Sequence, residues 1–211
     1  MTCRKIPPMK AILIHGMGRT TASMAILSRR LRARGLATCA LGYMAAFEPF
    51  DPCVERLAER IRRLAEEEPF LLVGHSLGAV LVRGALPRIA DLPLAACVLL
   101  APPQRACRAA RFFSSHPLYR WVNGEMGQLL ADPAFFAGLP LPQVPTRVFA
   151  GNAGPRAAWL PFEGEPNDGI LAVEETRARD DDEVIEVPAL HTFIMNSRRV
   201  AEGIVELAGV R

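Results

Sequence analysis

The stretch VGHSLGAV, residues 73–80, has the residue types and spacing of a nucleophile site. Its serine, Ser76, has Gly74 two positions before it and Gly78 two positions after it. An apolar run precedes the motif and a helix-like run follows it, which is the context of a serine exposed on a sharp strand-to-helix turn. At such a turn, side chains at the two glycine positions would collide with neighbouring chain. An ordinary glycine-rich connection would need only one glycine, so the symmetric pair predicts a nucleophile for acyl transfer.

A serine hydroxyl needs a histidine base, and the chain offers four candidates. His75 is adjacent to Ser76, so on a tight turn we expect its ring to point away and to pack beside the turn. His15 ends the first predicted strand and is better placed to shape a loop, while His116 lies in an irregular section. His191 directly follows the last predicted strand. Because the carboxyl ends of parallel strands converge on one edge of a sheet, His191 is the predicted base.

The base in turn needs an orienting carboxylate, and the loop after TRVFAG contains Glu163, Glu165 and Asp168. We prefer Asp168, because it lies in an Asn-Asp-Gly turn that can present a short carboxylate rigidly. A plain turn is the alternative for this tripeptide, and the two glutamates remain the other candidates for the acid. The chain order serine, aspartate, histidine is that of one particular fold among those that carry such a triad.

An oxyanion formed during acyl transfer needs backbone N–H donors. One predicted donor is Leu77, which follows the serine at the start of a helix. The other is Met17, in the loop His15–Arg19 after the first strand, where Gly16 and Gly18 let the backbone turn its amides inward. A phosphate-binding loop would be the alternative. The segment lacks the third glycine of a dinucleotide fingerprint and the Gly-Lys-Ser/Thr of a P-loop, which argues against nucleotide binding.

These residues must be positioned by an alternation of strands and helices. Short apolar runs predict six strands, and runs with helical periodicity separate them. The predicted strands cover residues 10–15, 36–44, 70–73, 94–100, 146–151 and 183–189. This alternation predicts an α/β fold with a mostly parallel sheet and helices on both faces, formed as a single domain by residues 1–211.

One section, residues 101–145, breaks this alternation and is rich in proline and aromatic residues. It predicts a short cap. The aromatic side chains either pack onto the sheet or line an apolar pocket, and these two roles are compatible. For the second role the candidate substrate-binding residues are Phe112, Phe113, Tyr119 and Trp121.

Five segments together resemble the α/β-hydrolase superfamily, specifically its small bacterial lipase- and esterase-like members. They are ILIHGMGRT, LLVGHSLGAVLVRGAL, VLLAPPQRA, PNDGILAVEET and LHTFIMNSRRV, spread from about residue 11 to residue 200. The resemblance implies that Ser76 is the nucleophile, Asp168 the acid and His191 the base, with the Met17 amide in the oxyanion hole. It also implies an eight-stranded sheet, which in this chain is expected to lack the first two antiparallel strands.

The resemblance and the residues together predict an esterase that forms an acyl-enzyme and needs no metal or cofactor. The substrate is expected to be a small ester with an apolar acyl chain. Three alternatives use the same fold: an acyltransferase, a thioesterase, or a binding protein without catalytic activity.

Composition excludes several other classes of protein. The net charge is only +3, and the basic residues are scattered apart from Ser28–Gly35, which is typical of a solvated helix face rather than of a nucleic-acid site. Five cysteines without a CxxC pair argue against a zinc site and a disulfide framework, so a reducing cytoplasm is the expected location. No stretch is typical of a membrane span, and Ala11–Ile14 is too short for the core of a signal peptide.

Overall fold

Six strands form one parallel sheet in the computed structural model. The model describes residues 9–45, 48–65, 67–113, 124–157, 159–162, 164–180 and 182–209. Within these residues the strand order is β2-β1-β3-β4-β5-β6, and every neighbouring pair is parallel. The strands are β1 Lys10–Ile14, β2 Ala37–Leu41, β3 Phe70–His75, β4 Leu94–Leu100, β5 Thr146–Gly151 and β6 Val184–Val187. The predicted α/β architecture with a parallel sheet of about six strands is therefore confirmed.

Crossover connections join the successive parallel strands. α-Helices form the connections from β1 to β5, whereas the described residues between β5 and β6 contain a 3₁₀ segment. The α-helices are α1 Ala25–Arg32, α2 Phe50–Ala65, α3 Leu77–Ala85, α4 Arg108–Phe113, α5 at 124–129, α6 Pro133–Gly138 and α7 Arg198–Leu207. The described part of the chain also contains four 3₁₀ segments: Thr21–Met24, Leu86–Ile89, Val173–Thr176 and His191–Asn196. No helix among the described residues is long and apolar enough to cross a membrane.

The sheet is buried on both faces, which explains why its central strands are continuously apolar. Successive strand residues point to opposite faces. In β1, Ile12 and Ile14 therefore join the core under α2 and α3, whereas Ala11 and Leu13 join the core under α1 and α7. The two helical layers confirm that helices cover both faces of the sheet.

A buried arginine links α3 to the segment that follows α6. Arg83 is 2% exposed, and its guanidinium donates to Gln104 Oε1 at 2.8 Å and to the backbone oxygens of Leu139 at 2.7 Å, Pro140 at 2.9 Å and Phe136 at 3.4 Å. Burial lowers the pKa of Arg83 to about 10, so the group is still charged at neutral pH. Within the described residues no carboxylate pairs with it. Arg83 thus fastens the region between β4 and β5 to the helix that begins next to Ser76.

We expect Arg83→Met to lower the free energy of unfolding by about 2–4 kcal/mol, because the buried acceptors would lose their donor. Arg63→Met is the matched control, since Arg63 is exposed on α2. Urea unfolding of both variants measures the difference. If the two variants had equal free energies of unfolding, water would replace the Arg83 guanidinium as the hydrogen-bond donor.

Candidate active site

Ser76 occupies the turn between β3 and α3 in an unusual backbone conformation. Its φ is 52° and its ψ is −124°, a positive φ that residues with a side chain rarely adopt. Two backbone hydrogen bonds hold the turn: Ser76 N–H donates to Leu100 O at 2.9 Å, and Ala79 N–H donates to Ser76 O at 2.8 Å. In this backbone conformation the Ser76 side chain leaves the strand and lies at the carboxyl edge of the sheet, where it contacts His191.

The flanking glycines allow the chain to approach itself closely at this turn. A Cβ at Gly74 would lie 2.6 Å from Ala79 Cα, and a Cβ at Gly78 would lie 2.4 Å from His15 O. Real Cβ atoms do not approach backbone atoms that closely. Both positions therefore exclude a side chain in this structure, and the first turn of α3 packs directly on the end of β1.

Ser76, His191 and Asp168 form a continuous chain of hydrogen bonds. His191 Nε2 lies 2.8 Å from Ser76 Oγ, and His191 Nδ1 lies 2.7 Å from Asp168 Oδ2. The ionised carboxylate can only accept, so Nδ1 carries the proton and Nε2 presents its lone pair to the serine hydroxyl. His191 and Asp168 are 6% and 2% exposed, so the hydrogen bond between them is buried, whereas the one to Ser76 is partly buried.

The loop after β5 fixes the Asp168 carboxylate from its other side. Asp168 Oδ1 accepts from Ile170 N–H at 2.9 Å and from Leu171 N–H at 2.7 Å, so both carboxylate oxygens have donors. The Asp168 carbonyl also accepts from His191 N–H at 2.9 Å. Of the two other candidate acids, Glu165 forms an ion pair with Arg108. Glu163 lies outside the described residues.

The loop after β1 is held by His15. Its Nδ1–H donates to Gly16 O at 2.8 Å, and its ring stacks on Tyr43 with centroids 4.5 Å apart. Burial lowers the pKa of His15, so the ring is neutral at pH 7. Because a trans peptide directs its C=O and N–H to opposite sides, holding Gly16 O turns the Met17 N–H away from His15. Among the described residues neither Met17 N–H nor Leu77 N–H has an acceptor.

His75 packs beside the turn, as its position in the sequence predicts, but it also makes a specific contact. Its Nε2 donates to the backbone oxygen of His191 at 3.0 Å, and the two rings lie 5.1 Å apart. The ring is 2% exposed. Burial, followed by the proximity of His191, lowers the pKa of His75 well below its ordinary value, so this histidine is neutral.

A cavity of about 350 Å³ opens in front of Ser76 and His191, which both line it. Its other walls are mostly apolar and include Met17, Pro103, Ala110, Leu130, Ile170 and Leu171. A larger cavity, of about 730 Å³, lies between β5, β6 and α7 and is lined by several charged residues, but it contains none of the three hydrogen-bonded groups. The smaller cavity is therefore the candidate site.

Cys107 also lines the smaller cavity and could in principle compete as a nucleophile. Burial raises the pKa of its thiol far above the ordinary value, and the charges of Glu175 and Asp168 add to this effect. The thiolate is the reactive form of cysteine. Cys107 is therefore an apolar wall residue at neutral pH. Within the part of the chain that the structure describes, no group of three His, Cys, Asp or Glu side chains could hold a metal ion.

Of the four predicted substrate-binding aromatics, the structure describes the side chain of Phe112. Phe112 is 66% exposed and does not line the cavity among the described residues. The side chain of Phe113, together with Tyr119 and Trp121, lies outside what the structure describes. The sequence interpretation missed Leu130 and Leu171. Leu171 could have been found because it follows the Asn-Asp-Gly turn, whereas Leu130 carries no local signal.

Residues 11–206 match the sequence model of the alpha/beta hydrolase family, so the chain belongs to this family. No curated protein sequence matches the chain. The predicted α/β-hydrolase fold is confirmed by this match together with the parallel sheet.

Solved structures agree with this assignment. A metagenomic carboxyl esterase superposes with a TM-score of 0.73 at 19% identity, over 95% of this chain and 75% of that one. The mature lipase BlEst2 of Bacillus licheniformis gives a TM-score of 0.69 at 13% identity, over 97% and 93% of the two chains. Phospholipase PlaB of Legionella pneumophila gives 0.64 at 18% identity over 81% of this chain, which spans only 44% of that protein. At these identities the likeness concerns the fold alone.

Gly78→Ala should lower the free energy of unfolding by about 3 kcal/mol, because the new methyl group would force α3 away from the end of β1. The control is Gly138→Ala, at the end of α6, where a Cβ would have no atom within 4 Å. The comparison uses the urea concentrations at the unfolding midpoint, provided that the dependence of the free energy of unfolding on urea concentration has the same slope in both variants. A stable Gly78→Ala protein would show that the close approach is not required.

Proposed function

We propose that this protein is a serine hydrolase that cleaves carboxylic esters through an acyl-enzyme. Ser76 is the nucleophile, His191 the base and Asp168 the group that orients the base. The observation that carries the proposal is the unbroken hydrogen-bond chain, 2.8 Å from Ser76 Oγ to His191 Nε2 and 2.7 Å from His191 Nδ1 to Asp168. A serine that only served as a turn residue would not need a buried histidine and carboxylate in line with its hydroxyl.

In the first half-reaction, His191 Nε2 takes the hydroxyl proton as Ser76 Oγ attacks the ester carbonyl carbon. The oxygen of that carbonyl becomes an oxyanion and accepts hydrogen bonds from the Met17 and Leu77 amides. Each such donor lowers the barrier by about 3 kcal/mol, because it is oriented before charge develops. The tetrahedral intermediate then collapses, and the departing alcohol takes the proton from His191.

In the second half-reaction, water enters the space left by the alcohol. His191 takes a proton from this water, which attacks the acyl carbon. Collapse of the second intermediate releases the acid and returns the proton to Ser76. Throughout both steps Asp168 stays ionised, keeps the Nδ1–H tautomer of His191 and stabilises the imidazolium that forms transiently.

The cavity supports an ester with an apolar acyl chain of medium length as the substrate. Its volume of about 350 Å³ is near the lower limit for small-molecule pockets. In this proposal the walls contributed by residues 101–145 form a short cap within a single domain. Four of the aromatic residues in that segment, Phe112, Phe113, Tyr119 and Trp121, remain proposed substrate contacts, with Phe112 contributing only after a movement toward the cavity.

A fluorophosphonate probe tests the nucleophile directly. Wild-type protein should be labelled at Ser76, and Ser76→Ala should abolish labelling and lower kcat for a p-nitrophenyl ester on the order of 10⁶-fold. Ser197→Ala is the control, because Ser197 precedes α7 and does not line the cavity. Absence of labelling in the wild type would instead favour a binding protein that has kept the fold. Labelling that survives Ser76→Ala would remove Ser76 from the mechanism.

The same ester assay distinguishes hydrolysis from the alternative reactions. Added methanol or a thiol should leave the free acid as the main product if water is the natural acceptor. A dominant ester or thioester product would identify an acyltransferase. Faster turnover of a thioester than of the matched oxygen ester would identify a thioesterase.

Asp168→Asn should lower kcat by about 10⁴-fold with a small change in KM, because the amide stabilises the wrong tautomer of His191 and cannot stabilise its charged form. Glu165→Gln is the matched control, since this carboxylate pairs with Arg108 at the surface. Initial rates over a range of ester concentrations separate kcat from KM. If Glu165→Gln is the damaging change, the acid is Glu165.

A further inference from the structure

His75 is the last residue of β3 and precedes Ser76, yet its ring does not approach the serine hydroxyl within hydrogen-bond distance. It lies in the interior, 2% exposed, against residues that come from two other loops. A backbone carbonyl can only accept, so the 3.0 Å contact to His191 O requires a proton on His75 Nε2. This hydrogen bond joins positions that are 116 residues apart in the sequence.

The backbone of His191 is consequently held from both sides. Its N–H donates to the Asp168 carbonyl at 2.9 Å, which attaches it to the acid loop. Its C=O accepts from His75, which attaches it to the strand that carries the nucleophile. The ring of His191 spans the same two elements, from Asp168 to Ser76. A small rotation of the His191 backbone would move the imidazole relative to both Asp168 and Ser76.

The other edge of the His75 ring faces the loop after β1. A Cβ at Gly16 would lie 2.8 Å from His75 Nδ1 and 3.1 Å from its Cε1, so the ring packs directly under the peptide that leads to Met17. His75 Nδ1 is buried and has no hydrogen-bond partner among the described residues. An unsatisfied buried acceptor is costly. A leucine would avoid that cost but could not donate to His191 O.

The charge state of His75 also matters for its neighbour. Its environment includes His191, Arg19 and His15, none of which would stabilise a second positive charge. A neutral imidazole offers one N–H donor without placing a cation beside the imidazolium that forms on His191 during the reaction. Lysine or arginine at this position could donate, but each would oppose that charge.

We propose that His75 is a positioning residue for the reaction: it holds the backbone of His191, and with it the imidazole Nε2, at hydrogen-bond distance from Ser76 Oγ. This inference rests on the proposed function of Ser76 and His191. It gives a role to a buried histidine whose hydrogen bond goes to the backbone of His191 and not to the hydroxyl of Ser76.

Two substitutions separate donation from packing. In His75→Gln the amide nitrogen reaches as far as the imidazole Nε2 and can still donate to His191 O. In His75→Asn the amide nitrogen is at the position of Nδ1, so the side chain is polar but cannot reach. We expect His75→Asn to lower kcat and the rate of fluorophosphonate labelling by roughly 10- to 100-fold with little change in KM, and His75→Gln to recover most of the loss.

Two further measurements distinguish positioning from a general loss of structure. The downfield proton resonance of His191 Nδ1–H should shift or broaden in His75→Asn and return in His75→Gln. In a double-mutant cycle, His75→Asn should cost much less in an Asp168→Asn background, because both changes act through the orientation of His191. Urea midpoints of all variants show whether each one is folded.

The inference is overturned if His75→Asn matches the wild type in kcat and labelling rate, or if the glutamine and asparagine variants are equally slow while both are folded. It is also overturned if His75→Asn does not fold and the folded His75→Gln variant is itself 10- to 100-fold slower than the wild type in kcat and labelling. Failure of the proposed function has a different signature, since the wild-type protein itself would then not be labelled by the probe.

Discussion

The backbone at Ser76 holds a conformation, φ 52°, that costs an L-residue about 1–3 kcal/mol, and the surrounding packing keeps it there. The hydrogen bond to Leu100 ties the turn to β4, while Gly78 lets α3 press on the carboxyl end of β1. The bend at Ser76 therefore depends on contacts among β1, β3 and β4. The position of α3, and through Arg83 the position of the segment after α6, follow from this bend.

The rest of the site is assembled at the same edge of the sheet because parallel strands all end there. Gly16 follows β1, Ser76 follows β3, Asp168 follows β5 and His191 follows β6. Each loop brings one chemical group, and hydrogen bonds between loops set the distances. His15 orients the loop of Gly16, the amides after Asp168 hold the carboxylate, and the backbone of His191 is bonded to both sides. Rigidity in this site is therefore a property of the contacts between loops.

The local sequence pattern was sufficient to predict the strands and to identify the candidate residues that have distinctive neighbours. The apolar runs of β4 and β5 have the predicted bounds, and Ser76, Asp168 and His191 were identified from their flanking residues and chain order, although their catalytic roles stay predictions. Contacts that depend on tertiary structure were not visible. The sequence indicates that His75 points away from Ser76, but nothing in it indicates that a backbone carbonyl 116 positions later accepts a hydrogen bond from His75. Likewise, the exposure of Phe112 depends on how α4 lies against the sheet, which composition does not specify.

The separation along the chain between Ser76 and His191, 115 residues, also has a consequence for biosynthesis. A ribosome completes the strained serine turn long before it adds the imidazole that would activate it. Until β5 has paired with β4 and β6 has paired with β5, the Ser76 hydroxyl has no imidazole beside it. Under the proposed mechanism, the incomplete polypeptide therefore has no activated nucleophile. Acylation of Ser76 would then report that the last strand of the sheet has reached its native place.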